Sequence, residues 1–493
     1  MTDQLVEPAC VDEQLRRHLQ GHGILETGQQ TCWTIDYSKL SGRGVIASRD
    51  VASDELVYED APVVQGPRCN DKYPPMCVAC QKTGCALFPC DRGCGLPVCS
   101  DACQDDPRHR DVECPYLREL EPDCGSDWSL PLLQALVPVK ALLLESHFKD
   151  IFYCFQSHGT PKYGREVDML KKSVKNPLKP EDEEFMRLVC RVMDTNSFET
   201  AAIRADDATS LRALFPLGSL TNHQCVPNTR HLVDDRGHLL VYAVKPIARG
   251  QEITMSYADL LWDTTLRRQF LLATKYFSCL CSRCSDATEA GSMLGALHCA
   301  HDSCPGKLLP NEPLDFNTNW ACTSCQLVIK AKQIASIRAG ISAAVEEFKY
   351  KSPRRMLRFI IRELSILVPP TNYVMMSMMF RIISIFGRSP GLEWSELTDE
   401  ELDIKIQYCD RLIYCLDTLN CGDCTKKGLI LYELHCANVE KMKRLSENET
   451  DQSDNVQNES ILSKAFEILK NDAITPLDYR EAYNVKTSVS CTI

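Results

Sequence analysis

Eight potential metal ligands lie in four short pairs between residues 77 and 114, and no other feature of the sequence constrains the fold as strongly. A tight turn can direct two thiolates at one Zn2+, and so short a loop-rich segment can scarcely bury a core without metal. The pattern therefore predicts two tetrahedral zinc sites, one with four thiolates and one with three thiolates and an imidazole. The pairs are Cys77-x2-Cys80, Cys90-x3-Cys94, Cys99-x3-Cys103 and His109-x4-Cys114.

A second cysteine cluster occurs in the stretch FSCLCSRCS, where Cys279, Cys281 and Cys284 have C-x-C-x2-C spacing. A closed structural zinc site needs four ligands, and no fourth cysteine lies close by. A remote cysteine must complete the set, and Cys225 is a candidate. The alternative interpretation is a turn of small buried thiols.

A third set has the spacing of a zinc ribbon, although its first gap is loose, and free cysteines are the alternative. It consists of Cys299-x4-Cys304 and Cys322-x2-Cys325. Three zinc ions are thus predicted, and this set adds a candidate fourth. The remaining pair, Cys421 and Cys424, has no second pair nearby and is interpreted as part of a loop between helices.

The composition favours metal binding over disulfides for these thiols. The chain has 493 residues, enough for about two to four domains, and 28 cysteines. Its first residues, MTDQLVEPACVDEQ, lack the basic and apolar regions of a secretory signal, and reducing compartments keep thiols free. No stretch reaches the apolar length of a membrane span. The net charge of −12 disfavours non-specific binding to nucleic acid and suits a substrate rich in Lys or Arg.

Periodicity predicts strands around these clusters and helices after them. Residues 41–64 and 238–259 each predict a strand, a turn and a strand, with Ile253, Met255 and Tyr257 on one face and Tyr257 ending its strand. Residues 130–215 look mainly helical. From about 330 onward, apolar-periodic stretches predict helical hairpins stacked as in a solenoid, and the polar, acidic segment 444–460 predicts a mobile loop.

The segment TNHQCVPN at 221–228 has no hydrophobic period. Its Asn, His and Cys side chains can face a ligand or a metal, but a stretch rich in Asn and Pro is also an ordinary loop. The eight residues alone leave both interpretations open.

In their order along the chain, these motifs resemble the SET and MYND domain (SMYD) family of protein-lysine methyltransferases, and most of all its divergent arthropod members, which carry a further ribbon like 299–325. The resemblance implies an α+β multidomain fold, in which a SET β-fold with a pseudoknot carries an inserted MYND zinc finger, a cysteine-rich post-SET region and a C-terminal all-α tetratricopeptide-like domain. It predicts a SET N-lobe at 1–76, the MYND finger at 77–114, a helical linker and SET-insert region at 115–210, the SET core at 211–278, the post-SET zinc region with its ribbon-like extension at 279–328 and the helical domain at 329–493.

The same resemblance implies the chemistry, which is transfer of a methyl group from S-adenosylmethionine to a lysine amine. It assigns Tyr257 as the catalytic tyrosine and Cys225 as the fourth ligand of the zinc bound by Cys279, Cys281 and Cys284. The residues that it assigns to the cofactor are Gly42, Arg43, Gly44, Asn196, Asn222, His223, Tyr257 and Phe277.

Expectations about partners follow from the same comparison. The substrate is a protein or peptide lysine, histone or not, and the MYND finger binds proline-containing peptides. No nucleic acid partner is expected, because residues 77–114 carry four Lys and Arg against six Asp and Glu. No membrane partner is expected, because no apolar stretch is long enough to span a bilayer. We expect a monomer in the cytoplasm, with passage into the nucleus as for much of the family. The alternative is an interaction protein, in which the SET fold is a catalytically weak scaffold and the finger or helical domain binds partner peptides.

Overall fold

The structure, a computed structural model, describes residues 6–38, 42–69, 74–160, 162–201, 210–445, 452–472, 475 and 478–482. The chain divides into two units. The first unit comprises 1–222, 231–253 and 471–474, and the second comprises 223–230, 254–470 and 475–493. The peptide bond between Asn222 and His223 therefore joins one unit to the other, in the middle of the aperiodic motif.

The first unit begins with a helix and two antiparallel hairpin strands. Helix α1 spans Pro8–Gly21, β1 Trp33–Ser38, β2 Gly42–Ala47, β3 Leu56–Asp60 and β4 Val64–Gly66. Strands β1 and β2 pair antiparallel, from Trp33 opposite Ala47 to Ser38 opposite Gly42. Between β2 and β3 the chain turns at Asp54, whose φ of 64° is left-handed, a conformation that Asp tolerates better than most residues.

The cysteine-rich finger, residues 77–114, contains little regular structure. Strands β5 (Phe88–Pro89) and β6 (Pro97–Val98) form a two-residue antiparallel pair, and helix α2 (Asp101–Gln104) follows, capped by the Ser100 side chain. A single π-helical turn at His109–Glu113 leads into α3 (Cys114–Glu119). Elements this short bury too little apolar surface to be stable alone, which agrees with a metal-dependent fold.

Helices dominate the stretch after the finger, as the sequence predicts. They are α4 (Leu130–Gln134), α5 (Leu136–Leu142), α6 (Ser146–Lys149), α7 (Arg165–Lys172) and α8 (Pro180–Asn196). The chain then returns to sheet with β7 (Phe198–Ala201) and β8 (Ser210–Leu214), and β8 lies between β4 and β7. A short helix, α9 (Pro216–Leu220), leads directly into Asn222.

Short strands follow α9 along the chain. Strand β9 spans Asn222–His223, β10 Thr229–Val233 and β11 Leu239–Ala243, and the sheet order is β10-β11-β3. Strand β12 covers only Thr254–Met255, so Tyr257 lies two residues beyond its end instead of on it. Thr254 is buried like Ile253 and Met255, so the side chains at these consecutive positions are all covered.

The second unit continues with two helices and a small sheet. Helix α10 (Thr264–Lys275) begins at the N-cap Asp263, whose side chain accepts the Leu266 N–H, and α11 spans Ser282–Ser285. Four antiparallel strands follow in sequential order, namely β13 (Leu297–His298), β14 (Lys307–Pro310), β15 (Trp320–Cys322) and β16 (Val328–Ile329).

Helices complete the second unit, namely α12 (Ala331–Lys349), α13 (Pro353–Phe359), α14 (Ser365–Leu367), α15 (Tyr373–Ile385), α16 (Asp399–Thr418), α17 (Thr425–Arg444) and α18 (Gln452–Leu469). From α15 to α18, each helix packs against the next one in the chain. Thr398 and Glu401 form a reciprocal capping box at the start of α16. Part of the predicted loop at 444–460 is helical, because α17 ends at Arg444 and α18 covers 452–460, while 446–451 lie outside the described residues.

Among the residues described, no helix is both long and apolar enough to cross a membrane.

Candidate functional site

The first finger site joins the first and third cysteine pairs. Cys77, Cys80, Cys99 and Cys103 lie with their sulfur atoms within 4.8 Å of one another. The Sγ of Cys99 is 3.6 Å from that of Cys80 and 3.6 Å from that of Cys103. Four thiolates at about 2.3 Å from a tetrahedral Zn2+ would be about 3.8 Å apart, so the donor set fits zinc.

The second finger site joins the other two pairs and is entirely buried. It consists of Cys90, Cys94, His109 and Cys114, and His109 Nε2 lies 3.3 Å from Cys90 Sγ and 3.8 Å from Cys94 Sγ. The π-helical turn places the Glu113 carboxylate 3.6 Å from Nδ1, the other ring nitrogen of His109. A carboxylate in this position orients a metal-binding imidazole. The ligand pairs of the two finger sites therefore alternate along the chain, since the first and third pairs form one site and the second and fourth pairs form the other.

The third site brings a remote cysteine to the post-SET cluster. Cys225 Sγ lies 3.8 Å from Cys279 Sγ and 3.5 Å from Cys284 Sγ, and Cys281 completes the group. Cys225 is fully buried, and the backbone N–H of its neighbour Gln224 donates to Met255 O at 2.9 Å. Strand pairing thus holds the loop that carries the fourth ligand.

The fourth site is formed by the ribbon. Cys299 Sγ lies 3.5 Å from Cys325 Sγ, and Cys304 Sγ lies 3.7 Å from Cys322 Sγ. All four sulfur atoms lie within 4.8 Å of one another, beside strands β13 to β16. Cys325 is exposed, in contrast to the buried Cys225. The structure thus groups all sixteen predicted ligands into four sets of four, and each set has the donors of a closed structural zinc site.

In the first unit, Gly44 lies against the side chain of Asn222. A Cβ atom added at Gly44 would be 2.5 Å from Asn222 Nδ2 and 2.7 Å from Glu252 Oε1, too close for any other residue without displacement. Asn222 Nδ2 donates to Arg43 O at 3.0 Å and to Glu252 Oε1 at 2.8 Å. Gly42 has a different constraint, since its φ of 77° favours glycine.

Two other predicted cofactor residues make hydrogen bonds inside the first unit. The Arg43 guanidinium is buried and donates to the carbonyls of Val6, at 2.6 Å, and of Cys154, and burial lowers its pKa. Asn196, at the end of α8, donates through Nδ2 to Gln156 O and Val192 O, both at 2.9 Å. Both side chains therefore hold nearby backbone segments in place through the carbonyl groups to which they donate.

In the second unit, His223, Tyr257 and Phe277 form an aromatic group. The His223 ring centroid lies 5.3 Å from that of Tyr257 and 6.0 Å from that of Phe277, and the Tyr257 and Phe277 rings are 6.5 Å apart. The backbone N–H of Tyr257 donates to His223 Nδ1 at 3.0 Å. The structure therefore brings together three residues that are separated by up to 54 positions in the sequence.

A lysine side chain lies over the Tyr257 ring. Lys275 Nζ is 5.6 Å from the ring centroid, and burial lowers the pKa of this amine. A tyrosine face attracts a cation electrostatically, whereas the surrounding apolar groups disfavour charge. The environment beside Tyr257 thus favours the neutral form of an amine more than water does.

Sequence reasoning missed four residues that contact these sites. Glu252, in the first unit, accepts from Asn222 Nδ2 at 2.8 Å, and no motif or spacing marked this carboxylate. Buried Arg267, Arg283 and Glu289 surround the Cys225 site, where Arg267 Nε donates to Cys225 Sγ at 3.3 Å and Arg283 Nη1 donates to Cys225 O at 3.1 Å. Charged residues in helices usually face solvent, so only their burial reveals these arginines.

Comparison with known proteins finds a matching domain family and related proteins. The SET domain model matches residues 42–258. The "SET domain-containing protein SmydA-8, isoform B" of Drosophila melanogaster is 31% identical over 415 residues, covering 82% of this chain and 91% of that protein. The "Histone-lysine N-methyltransferase SMYD3" of Homo sapiens is 30% identical over 151 residues, 30% of this chain and 33% of that protein.

A fold comparison adds only a distant likeness. The structure titled "Crystal structure of the SET domain of LSMT bound to Lysine and AdoHcy" aligns with a TM-score of 0.26 and 11% identity over 91% of this chain and 98% of that one.

The SET domain match over residues 42–258 and the four cysteine sites define a SET-domain protein with donor sets for structural zinc. More narrowly, the chain belongs to the SET and MYND domain family and is similar to its arthropod members.

Proposed function

We propose that this chain is an active protein-lysine N-methyltransferase that uses S-adenosylmethionine. The observation that supports activity best is the group formed by His223, Tyr257 and Phe277, with the Tyr257 backbone held at 3.0 Å by His223 Nδ1. A decayed scaffold has no need to keep these three aromatic residues together.

The chain's own residues have positioning and desolvating roles. S-adenosylmethionine, when bound, would supply the methyl group: a neutral lysine amine of the substrate would bond to the methyl carbon in line as the carbon–sulfur bond breaks, and its electron pair would stay on the sulfur of the departing S-adenosylhomocysteine. No protein nucleophile is required, so the rate depends on alignment and on exclusion of water. The Tyr257 hydroxyl would orient the incoming amine, Phe277 would hold the adenine, and the backbone at Gly44 would hold the methionyl end.

The lysine must lose its proton before it attacks. Burial favours the neutral amine, and the lowered pKa of Lys275 beside Tyr257 supports such an environment in this chain. The zinc ions take no part in this chemistry, because each of the four sites has four protein ligands and leaves no position for water or substrate. A zinc ion bound by Cys225, Cys279, Cys281 and Cys284 would hold the loops that carry Cys225 and Phe277.

The proposal extends to substrate and partners. Relatives named as histone-lysine methyltransferases support a protein lysine, histone or not, as the acceptor. We also propose a monomer that binds no nucleic acid, a MYND finger that binds proline-containing peptides, and the domain division given above. Finally, we propose a cytoplasmic location with passage into the nucleus.

The test combines cofactor binding with methyl transfer in zinc-replete, full-length protein. Calorimetry should show S-adenosylmethionine binding, and radiolabelled methyl should appear on lysines of a protein extract or a histone mixture. Tyr257→Phe removes one hydroxyl and should keep cofactor binding while transfer falls by about 100-fold or more. A parent protein that binds no cofactor would favour the scaffold alternative, and equal transfer by both proteins would remove the catalytic role of Tyr257.

A further inference from the structure

Two hydrogen bonds fix the protonation of the His223 ring. A backbone N–H can only donate, so the bond from Tyr257 N to His223 Nδ1, at 3.0 Å, requires an unprotonated Nδ1. The proton of the neutral ring is therefore on Nε2, which lies 3.2 Å from Cys225 Sγ. His223 thus donates to the thiolate on one side and accepts from the Tyr257 backbone on the other.

Cys225 receives a second donor from a buried arginine. Arg267 Nε donates to Cys225 Sγ at 3.3 Å, and Arg267 Nη2 lies 3.7 Å from Cys284 Sγ. Glu289 accepts from Arg267 Nη1 at 2.6 Å and from Arg283 Nε at 3.1 Å. These two arginines and one glutamate carry a net charge of +1, which offsets part of the net −2 of a zinc ion with four thiolates.

We propose that His223 is a positioning residue that links the zinc site to Tyr257. The metal keeps Cys225 as a thiolate, the thiolate accepts the His223 Nε2–H, and the ring is thereby held with Nδ1 facing the Tyr257 backbone. Arg267 supports the same link by holding the thiolate from its other side. This inference deepens the proposed methyl transfer and rests on it for the role of Tyr257, but the link itself is a property of the folded, zinc-loaded chain.

The first test is spectroscopic and needs no methyl transfer. The full-length zinc-loaded protein is labelled with 15N-histidine, and the His223 signals are assigned by their loss in His223→Asn. We expect a protonated Nε2 and an unprotonated Nδ1. A ring protonated on Nδ1, or on both nitrogens, would overturn the inference even if the protein proves to be an active methyltransferase.

The second test separates the two hydrogen bonds with a matched pair of substitutions. In His223→Asn the short amide can place its oxygen where Nδ1 accepts from Tyr257, but it has no donor that reaches Cys225. In His223→Gln the longer amide can donate to Cys225 but leaves the Tyr257 N–H without its acceptor. We expect zinc release to a chelator to be faster in the Asn variant by about 10-fold or more, and kcat to be lower in the Gln variant by a similar factor. Equal zinc release and equal kcat in the two variants would refute the link.

A third pair of variants keeps the inference testable if His223 variants fail to fold. Arg267→Met removes the second donor to Cys225, whereas Arg187→Met removes a buried arginine that donates to Lys162 O, Asp168 and Glu183, none of which is a zinc ligand. Only Arg267→Met should speed zinc release, by about 10- to 100-fold, and shift the His223 Nε2 signal, and Arg267→Lys should restore part of both. The same effect in both Met variants would indicate a loss of packing alone. If the parent transfers no methyl group, the proposed function fails while the nitrogen signals and zinc release still decide this inference.

Discussion

The side chain of Asn222 donates to Glu252 Oε1 at 2.8 Å, across the position that a Cβ atom on Gly44 would occupy. The other carboxylate oxygen of Glu252 accepts from Ser38 Oγ at 2.7 Å. Glu252 therefore joins the β1–β2 hairpin to the last residue of the first unit's main segment. It orients the amide that the family resemblance assigns to the cofactor.

Replacing Glu252 should weaken cofactor binding in proportion to the hydrogen bonds lost. Glu252→Ala removes the bond from Asn222 Nδ2 to the carboxylate and leaves its bond to Arg43 O, and the loss of a bond to a carboxylate predicts a rise of about tenfold or more in the Kd for S-adenosylmethionine. Glu252→Gln keeps an acceptor for Asn222 and should change the Kd much less. Calorimetry on both variants checks this, and an Ala variant as tight as the parent would show that Glu252 does not orient Asn222.

Adding one methyl group at Gly44 should disturb the same place. In Gly44→Ala the new Cβ meets Asn222 Nδ2 at 2.5 Å and Glu252 Oε1 at 2.7 Å, so both side chains must move. We expect a lower melting temperature and weaker cofactor binding. Gly340→Ala in α12 is the matched control, because nothing lies within 4 Å of its added Cβ and helix propensity favours Ala by about 1 kcal/mol. Cofactor affinity that falls equally in both variants, or in neither, would contradict the expectation.

Loss of one cysteine ligand should have different consequences at the Cys225 site and at the ribbon site, although each of these sites has four cysteines. Cys225→Ser removes a buried ligand next to His223, and we expect one zinc fewer per chain together with weaker cofactor binding. Cys325→Ser removes an exposed ribbon ligand and should also lower the zinc content without affecting the cofactor. Atomic emission should give four zinc ions per parent chain, and one or none would refute the grouping of the cysteines.

The buried pair His18 and Asp60 should make stability depend on pH in a way that one substitution exposes. Burial raises the pKa of Asp60 to about 7, and burial lowers the pKa of His18 to about 4. Asp60 Oδ2 accepts the N–H groups of Leu217 and Gly218 at 2.7 and 2.9 Å, so it also holds α9, which leads into Asn222. His18 Nε2 donates to Ala61 O at 2.9 Å.

The two groups have opposite effects on unfolding. Folded protein keeps a proton on Asp60 that the unfolded chain releases above its ordinary pKa of 3.8, so this group makes stability fall as pH rises to about 7. Unfolded protein gains a proton on His18 below 6.5, so this group makes stability rise between about pH 4 and 6.5. In the parent protein, the effects of Asp60 and His18 on stability therefore oppose each other. Three further histidines lower the pKa of His18, as burial does, namely His22, His147 and His238.

Asp60→Asn should therefore reveal the His18 effect. Asn keeps an acceptor for the two backbone N–H groups but cannot titrate, so stability should rise with pH between 4 and 6.5 by about 1.4 kcal/mol per pH unit more than in the parent. Melting temperatures of both proteins across this window measure the difference, and the common effect of protonating zinc ligands cancels in it. Parallel pH profiles would show that Asp60 is ionised in the folded protein, with a partner that compensates its charge.

The sequence by itself was enough to predict the metal-ligand pairs, the protein family and the helices of the second unit. Short spacings such as Cys77-x2-Cys80 predict ligand pairs because a tight turn brings neighbouring thiolates to one ion. The order of motifs from the finger to TNHQCVPN predicted the family, and the three-residue and four-residue periodicity after 330 predicted the helices of the second unit. These are local properties, and local geometry depends mainly on adjacent residues.

The tertiary structure decided how these parts combine. Spacing could not show that the finger pairs alternate between two sites, with Cys77 sharing a metal with Cys99 and Cys90 with His109, because this depends on how the chain folds back. Spacing also placed Tyr257 on a strand, whereas β12 ends at Met255, where the chain leaves the ladder so that the Tyr257 N–H can bond to His223.

The sequence also could not show which charged residues become buried. Arg267 looks like any helical arginine until the fold removes it from water and aims its Nε at Cys225, and Glu252 looks like a strand-edge acid until Asn222 reaches it. A buried charge needs a partner that compensates it, and the partner of Arg267 is Glu289, 22 positions further along the chain. Such partners are set by packing over long separations, which only the folded chain defines.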